Sequence, residues 1–297
     1  MKHDKTFHPL SAITRRDFLA GMALLGVAGA VRGWAAPLPA AGLDHLNIHV
    51  PNVVRSADFY IKLFGGVHVS RSPNAKAQTP NPDSPSGVLW FVRLGENSLA
   101  ISPTRPQQNP GIDHICFAIA GYDGVAMKGQ LAGLNHQWPD APPNNLWVRD
   151  ADGYVIQLTR GADPSRVPGS GVGAVLVEPP GGVPRQPAFR ATRIAQLTLA
   201  VPAPNSSASY YRMLLGDAAE TQPNAQSPQS RRFRVGPSEL ILGPASGGES
   251  FRVSVAGFNP AAAVSTLQGL GVAAAATPDR NAVSFRDPDG IHVEISG

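Results

Sequence analysis

Asp44-His45-Leu46-Asn47-Ile48-His49-Val50-Pro51 alternates in chemistry: Leu46, Ile48 and Val50 fall on one face, and His45, Asn47 and His49 on the other. A period of two is the mark of a strand covered by apolar packing on one side only. The period then changes. Val53, Ala57, Tyr60 and Phe64 share one stripe of a helix over 53–64, and Gly65-Gly66 stops it. Shorter strands are expected near 67–70, 88–93 and 98–102. The pattern restarts with a strand at 113–119, continues with a helix near 122–133, and closes with strands near 145–149 and 154–159. Asp150 to Gly153 supplies the turn between the last two.

The same order recurs further along the chain. Leu46–Pro51 answers to Leu197–Pro202, and Phe59-Tyr60 with Gly65 answers to Tyr210-Tyr211 with Gly216. Arg93, Gly95, Leu99 and Pro103 answer to Arg234, Gly236, Leu240 and Pro244, and Arg149-Asp150-Ala151-Asp152-Gly153 answers to Arg286-Asp287-Pro288-Asp289-Gly290. An ordered match of this length is read as an internal repeat. Between the copies, residues 161–190 hold six glycines and six prolines, the composition of a linker. The expectation is four βαβββ units in an α+β chain, two before the linker (42–160) and two after it (191–297).

Composition narrows the function. The chain has 297 residues, 42% apolar and 15% charged, which is enough for packed cores and too little charge for disorder. Cys116 is the single cysteine, so an internal disulfide framework and a cysteine-based zinc cluster are excluded. Basic residues outnumber acidic by 25 to 21, but residues 1–36 carry five basic groups against two acids, leaving 20 against 19 elsewhere. A near-neutral body argues against a nucleic-acid partner.

The local excess has its own reading. A polar basic start leads to Thr14-Arg15-Arg16-Asp17-Phe18-Leu19-Ala20, then an apolar run to Val31 and small residues around Ala35-Ala36 and Ala40-Ala41. This is the layout of a signal peptide, with an apolar run too short to span a bilayer, so no membrane span is expected in the mature protein. The arginine pair followed by Phe-Leu resembles the twin-arginine export signal, with Ala20 where a lysine is usual. The resemblance implies the twin-arginine machinery as a partner, cleavage at about 35–41, and a periplasmic or secreted product.

Asp44-His45-Leu46, the Phe59-Tyr60 helix ending at Gly65, Asp113-His114-Ile115 and the Asp-x-Asp-Gly hairpins together resemble the vicinal oxygen chelate superfamily, which includes glyoxalases, bleomycin-resistance proteins and extradiol dioxygenases. That resemblance implies two glyoxalase-like domains, each a cup-shaped mixed sheet with helices outside and a metal on the concave side. It places the first, fifth and eighth strand ligands at His45, His114 and Gln157, and the alternation of each strand aims all three away from the aliphatic face. The fourth ligand position falls at Ala100 or Ile101, and neither binds metal. Three ligands with open positions opposite suit Fe(II) or Mn(II) and a substrate with neighbouring oxygens. The dioxygenases of this superfamily have glutamate where this chain has Gln157, so the site here carries one negative charge fewer. A metal-free cup that sequesters a small molecule, as in the resistance proteins, is the other reading.

Asn47, His49, His68, Trp90, Arg93 and His136 are secondary candidates for lining the cup, Arg71–Gly87 is either a lid or a hairpin loop, and Cys116 is expected to be a small buried side chain. In the second copy, Gln196, Ser250 and Glu294 stand at the positions of His45, His114 and Gln157, with Arg252 on the Ser250 face. A guanidinium there is expected to reach Glu294 and fill the place of a metal, leaving this half degenerate.

Overall fold

The computed structural model describes residues 37–65, 68–69, 90–131, 146–161, 186–222, 227–277 and 281–297. The arginine pair, Arg71–Gly87, His136 and most of the 161–190 segment lie outside the described residues, as do the side chains of His68 and Trp90.

The first sheet is built from β1 (Ala40–Val50), β2 (His68–Val69), β3 (Trp90–Leu94), β4 (Asn97–Pro103), β5 (Gly111–Ile119), β6 (Leu146–Arg149) and β7 (Val155–Thr159), in the order β2-β3-β4-β1-β5-β7-β6. Its helices are α1 (Val53–Phe64) and α2 (Gly124–Gln130). The second sheet takes β8 (Ala191–Val201), β9 (Glu220–Thr221), β10 (Arg231–Val235), β11 (Ser238–Pro244), β12 (Ser250–Val255), β13 (Ala274–Thr277), β14 (Ala282–Arg286) and β15 (His292–Ser296), in the order β13-β14-β15-β12-β8-β11-β10-β9. Its helices are α3 (Pro204–Leu215) and α4 (Pro260–Gly269). Parallel pairs (β1 with β4, β5 with β7) and antiparallel pairs (β1 with β5) alternate, so both sheets are mixed and neither closes into a barrel.

Local chemistry explains the elements. Asn52 caps α1 by accepting from the Arg55 N–H, and Gly65 ends it in the left-handed region at φ 68°. The stripe Val53, Ala57, Tyr60 and Phe64 is buried throughout. On β1, Leu46, Ile48 and Val50 enter the main apolar core while His45, Asn47 and His49 take the other face. The face choice on β4 is also settled. Ile101 belongs to the main core, whereas Ala100 packs with Phe91 on the concave side.

The two sheets are tied together by a matched pair of contacts that cross between the sequence copies. Tyr60 on α1 donates its hydroxyl to Asp287 Oδ2 at 2.7 Å, and Tyr211 on α3 donates to Asp150 Oδ2 at 2.8 Å. Ser56 and Ser207, one turn earlier on each helix, reach Asp289 and Asp152 of the same hairpins. The repeated aromatic on the helix and the repeated Asp-x-Asp-Gly hairpin are therefore two sides of one joint. Both tyrosine contacts are hydrogen bonds to buried carboxylates, the stronger kind. Gly95 and Gly236 complete the joint: a Cβ on Gly95 would lie 1.9 Å from the Thr192 carbonyl oxygen, and one on Gly236 would lie 2.0 Å from that of Ala41.

Candidate metal centre

The β1–β5 and β5–β7 ladders set the position of every concave-face side chain. His45 stands opposite Cys116, Asn47 opposite His114, and Cys116 opposite Gln157. This brings the His45 and His114 rings together, with Nε2 to Nε2 at 3.2 Å. Gln157, opposite Cys116 on the next strand, is near enough to act on the His114 ring. All three candidate ligands therefore meet in one place.

The residue before each histidine decides how its ring is held. Asp44 Oδ1 lies 2.6 Å from His45 Nδ1, and Asp113 Oδ2 lies 2.7 Å from His114 Nδ1. A carboxylate at Nδ1 holds a proton there, so each neutral imidazole turns its Nε2 lone pair inward. Two inward lone pairs at 3.2 Å require something shared between them, either a proton or a cation. A shared proton makes one ring cationic. Burial pushes the His114 pKa down and His45 adds to that, while the Asp113 hydrogen bond pulls the other way without overcoming it. The neutral ring is the ligating form. Asp113, for its part, stays ionised: burial works to raise it, but its hydrogen bonds with His114 and His49 hold it well below the usual carboxylate range.

The separation also fits an ion. Two nitrogens at about 2.1 Å from a shared metal stand about 3.0 Å apart at a right angle and about 3.4 Å apart at a tetrahedral one. The observed 3.2 Å falls between these. Aromatic walls fix the rings sideways, with Phe91 edge-on to His45 at 5.6 Å between centroids and Trp147 edge-on to His114 at 4.8 Å.

A second donor set overlaps the first, since Asp44, His45 and Cys116 have ligand atoms within 4.8 Å of one another. The thiol of Cys116 is fully buried, and burial together with Asp44 pushes its pKa well up. A protonated thiol is a poor ligand, and Asp44 is already committed to His45 Nδ1. The histidine pair is thus the better donor set.

The secondary candidates are placed differently. His49 is buried, with Nε2 bonded to the Asn109 carbonyl at 2.7 Å, so it is a hydrogen-bonded histidine. Asn47 accepts from Ser102 Oγ at 2.9 Å, and Arg93 donates to the Gly95 carbonyl at 2.8 Å. The orienting roles of Asp44 and Asp113 were missed by sequence reasoning. The signal was present, because both candidate histidines follow an aspartate.

The second sheet repeats the register with other chemistry. Gln196 stands opposite Arg252, and Arg252 opposite Glu294, as His45 stands opposite Cys116 and Cys116 opposite Gln157. Arg252 donates from Nε and Nη2 to Glu294 Oε2 at 2.9 and 2.5 Å. This pair stands at the register positions of Cys116 and Gln157.

No family model and no curated protein matches the sequence. Solved structures do match in shape. The 2,3-dioxygenase LapB from Pseudomonas sp. KL28 superposes with a TM-score of 0.57 over 88% of this chain and 93% of that one, at 14% identity. A catechol 2,3-dioxygenase gives 0.58 over 87% and 88% at 13% identity. The Mn(II)-bound glyoxalase from Novosphingobium aromaticivorans gives 0.58 over 87% and 82% at 12% identity. The fold is the vicinal oxygen chelate fold. At these identities the likeness speaks for the fold, and the chemistry rests on the residues of this chain.

Proposed function

We propose that this is an exported metalloenzyme that acts on a small molecule with two neighbouring oxygens. A divalent ion, Fe(II) or Mn(II), is held by His45, His114 and Gln157. The observation that carries the reading is the pair of imidazoles whose Nδ1 atoms are tied to Asp44 and Asp113 and whose Nε2 atoms face each other at 3.2 Å. The neighbours' own descriptions, 2,3-dioxygenases and an Mn(II)-bound glyoxalase, support both the ion class and the substrate class.

When bound, such an ion would polarise the two substrate oxygens that chelate it. The chain's residues do the rest. Asp44 and Asp113 hold the Nδ1 positions and aim both Nε2 atoms inward, Phe91 and Trp147 prevent the rings from swinging, and Ala100 packs against Phe91 on the β4 side of the cup. Ala100 also supplies no carboxylate to take a proton, which favours dioxygenase-like over enediolate chemistry. Export is supported by the Arg15-Arg16 segment and its apolar run.

Metal analysis of protein folded in metal-replete cells tests the reading. Wild type and Glu294→Gln should retain a bound divalent ion, and His45→Ala and His114→Ala should lose it. Wild-type protein that is metal-free would favour a cup that sequesters its ligand without an ion.

A further inference from the structure

Arginines outnumber carboxylate side chains along the wall of the second cup. Arg193, Arg234 and Arg252 line a cavity of about 510 Å³ together with Gln196, Glu239 and Ser254. Arg252 is matched by Glu294, and Arg232 on the neighbouring strand by Glu239 at 3.2 Å. Neither Arg193 nor Arg234 takes part in an ion pair among the described residues. Nε of Arg193 is buried and has no hydrogen-bond partner there.

A guanidinium cannot discharge by losing its proton, so one at a cavity wall without a carboxylate partner offers its charge to an anion that enters. A concave, partly desolvated wall strengthens the field of such groups on whatever enters. The positions are telling as well. By register, Arg193 replaces Gly42 of the first sheet, Arg252 replaces Cys116, and the histidine positions hold Gln196 and Ser250. The ligand positions thus lose both imidazoles, two added cations stand beside them in Arg193 and Arg252, and Arg234 keeps the place of Arg93.

We propose that the second cup is a binding site for a small molecule bearing a multiply charged oxyanion group, of which phosphate is the simplest. Arg193 and Arg234 supply the charge that the ligand neutralises. Arg252 is held in place by Glu294 and presents its remaining N–H groups, and Gln196 and Ser254 offer neutral hydrogen bonds. The site is independent of the metal centre proposed for the first cup.

Calorimetric titration of inorganic phosphate into the metal-loaded protein at low ionic strength tests this. Saturable binding is expected, weakened about ten-fold or more in Arg234→Gln and in Arg193→Gln and unchanged in His45→Ala. Arg234 is solvent-exposed, so its variant remains informative even where Arg193→Gln fails to fold. Absence of saturable binding by wild type at millimolar phosphate would overturn the proposal. So would binding that survives in Arg234→Gln, or binding lost in His45→Ala, which would locate the anion on the first cup's metal.

Discussion

Replacing Asp150 by Asn should remove a pH dependence that the fold builds into the joint between its sheets. Asp150 is 5% exposed, accepts from Tyr211 at 2.8 Å, and receives the N–H groups of Asp152 and Tyr154 at 3.0 and 2.8 Å. Burial pushes its pKa up from 3.8 to about 6, and the hydrogen bonds from Tyr211 and the backbone only partly oppose that. The folded protein therefore keeps this proton to a higher pH than the unfolded chain does. Between about pH 4 and pH 6 the folded state binds more protons, so stability falls as pH rises. A pKa difference of about 2 between the folded and unfolded chain is worth about 3 kcal/mol, retained in full below pH 4 and lost above pH 6. Asparagine keeps an acceptor for the two backbone donors, can donate to the Tyr211 oxygen, and does not titrate. Urea unfolding of both proteins in chelator, from pH 4 to pH 8, should show Asp150→Asn gaining about 3 kcal/mol on wild type across that window. Parallel stability curves would refute the argument. The joint matters for function because the Asp150–Gly153 hairpin leads directly into β7, the strand that carries Gln157.

Further outcomes follow from the centre itself. Asp113→Asn should weaken divalent-metal binding about 10- to 100-fold, as loss of a partner to a ligating histidine does, measured by competition with a chromophoric chelator; unchanged affinity would remove Asp113 from the site. Gln157→Glu adds a charged donor at unchanged side-chain length, so metal affinity should rise and become more pH-dependent as protonation competes with the ion. Equal or weaker binding in the same titration would argue against Gln157 as a ligand. Arg15→Lys combined with Arg16→Lys should leave precursor in the cytoplasm by fractionation and immunoblotting, and normal export would assign the N-terminal segment another role.

The parts of the fold that were legible in the sequence are those written in local periodicity. The alternation at 44–50 and the stripe at 53–64 needed no partner to be recognised, and both elements fall where they were expected. The meeting of His45, His114 and Gln157 required only that three strands sit in one sheet with known faces. Arg252 and Glu294 were readable as a pair for the same reason. What stayed hidden depends on contacts with no local trace. Tyr60 and Asp287 are 227 residues apart, and nothing near either one names the other. Tyr60 reads as one more core aromatic until the second sheet arrives. The choice between Ala100 and Ile101 was likewise undecided, because both are small or apolar and only the Phe91 contact fixes the face. The unmatched charge of Arg193 and Arg234 became visible once the cavity they share was in view.

The central claim is that an ion sits between two imidazoles of the first cup. Anomalous diffraction from crystals of the wild-type protein loaded with Mn(II) tests it most directly. The expected result is one strong anomalous peak within about 2.2 Å of Nε2 of both His45 and His114, with the Gln157 side chain alongside and none beside Arg252. A peak at Cys116 and Asp44 away from His114, a peak in the second cup, or no peak in fully loaded crystals would contradict it.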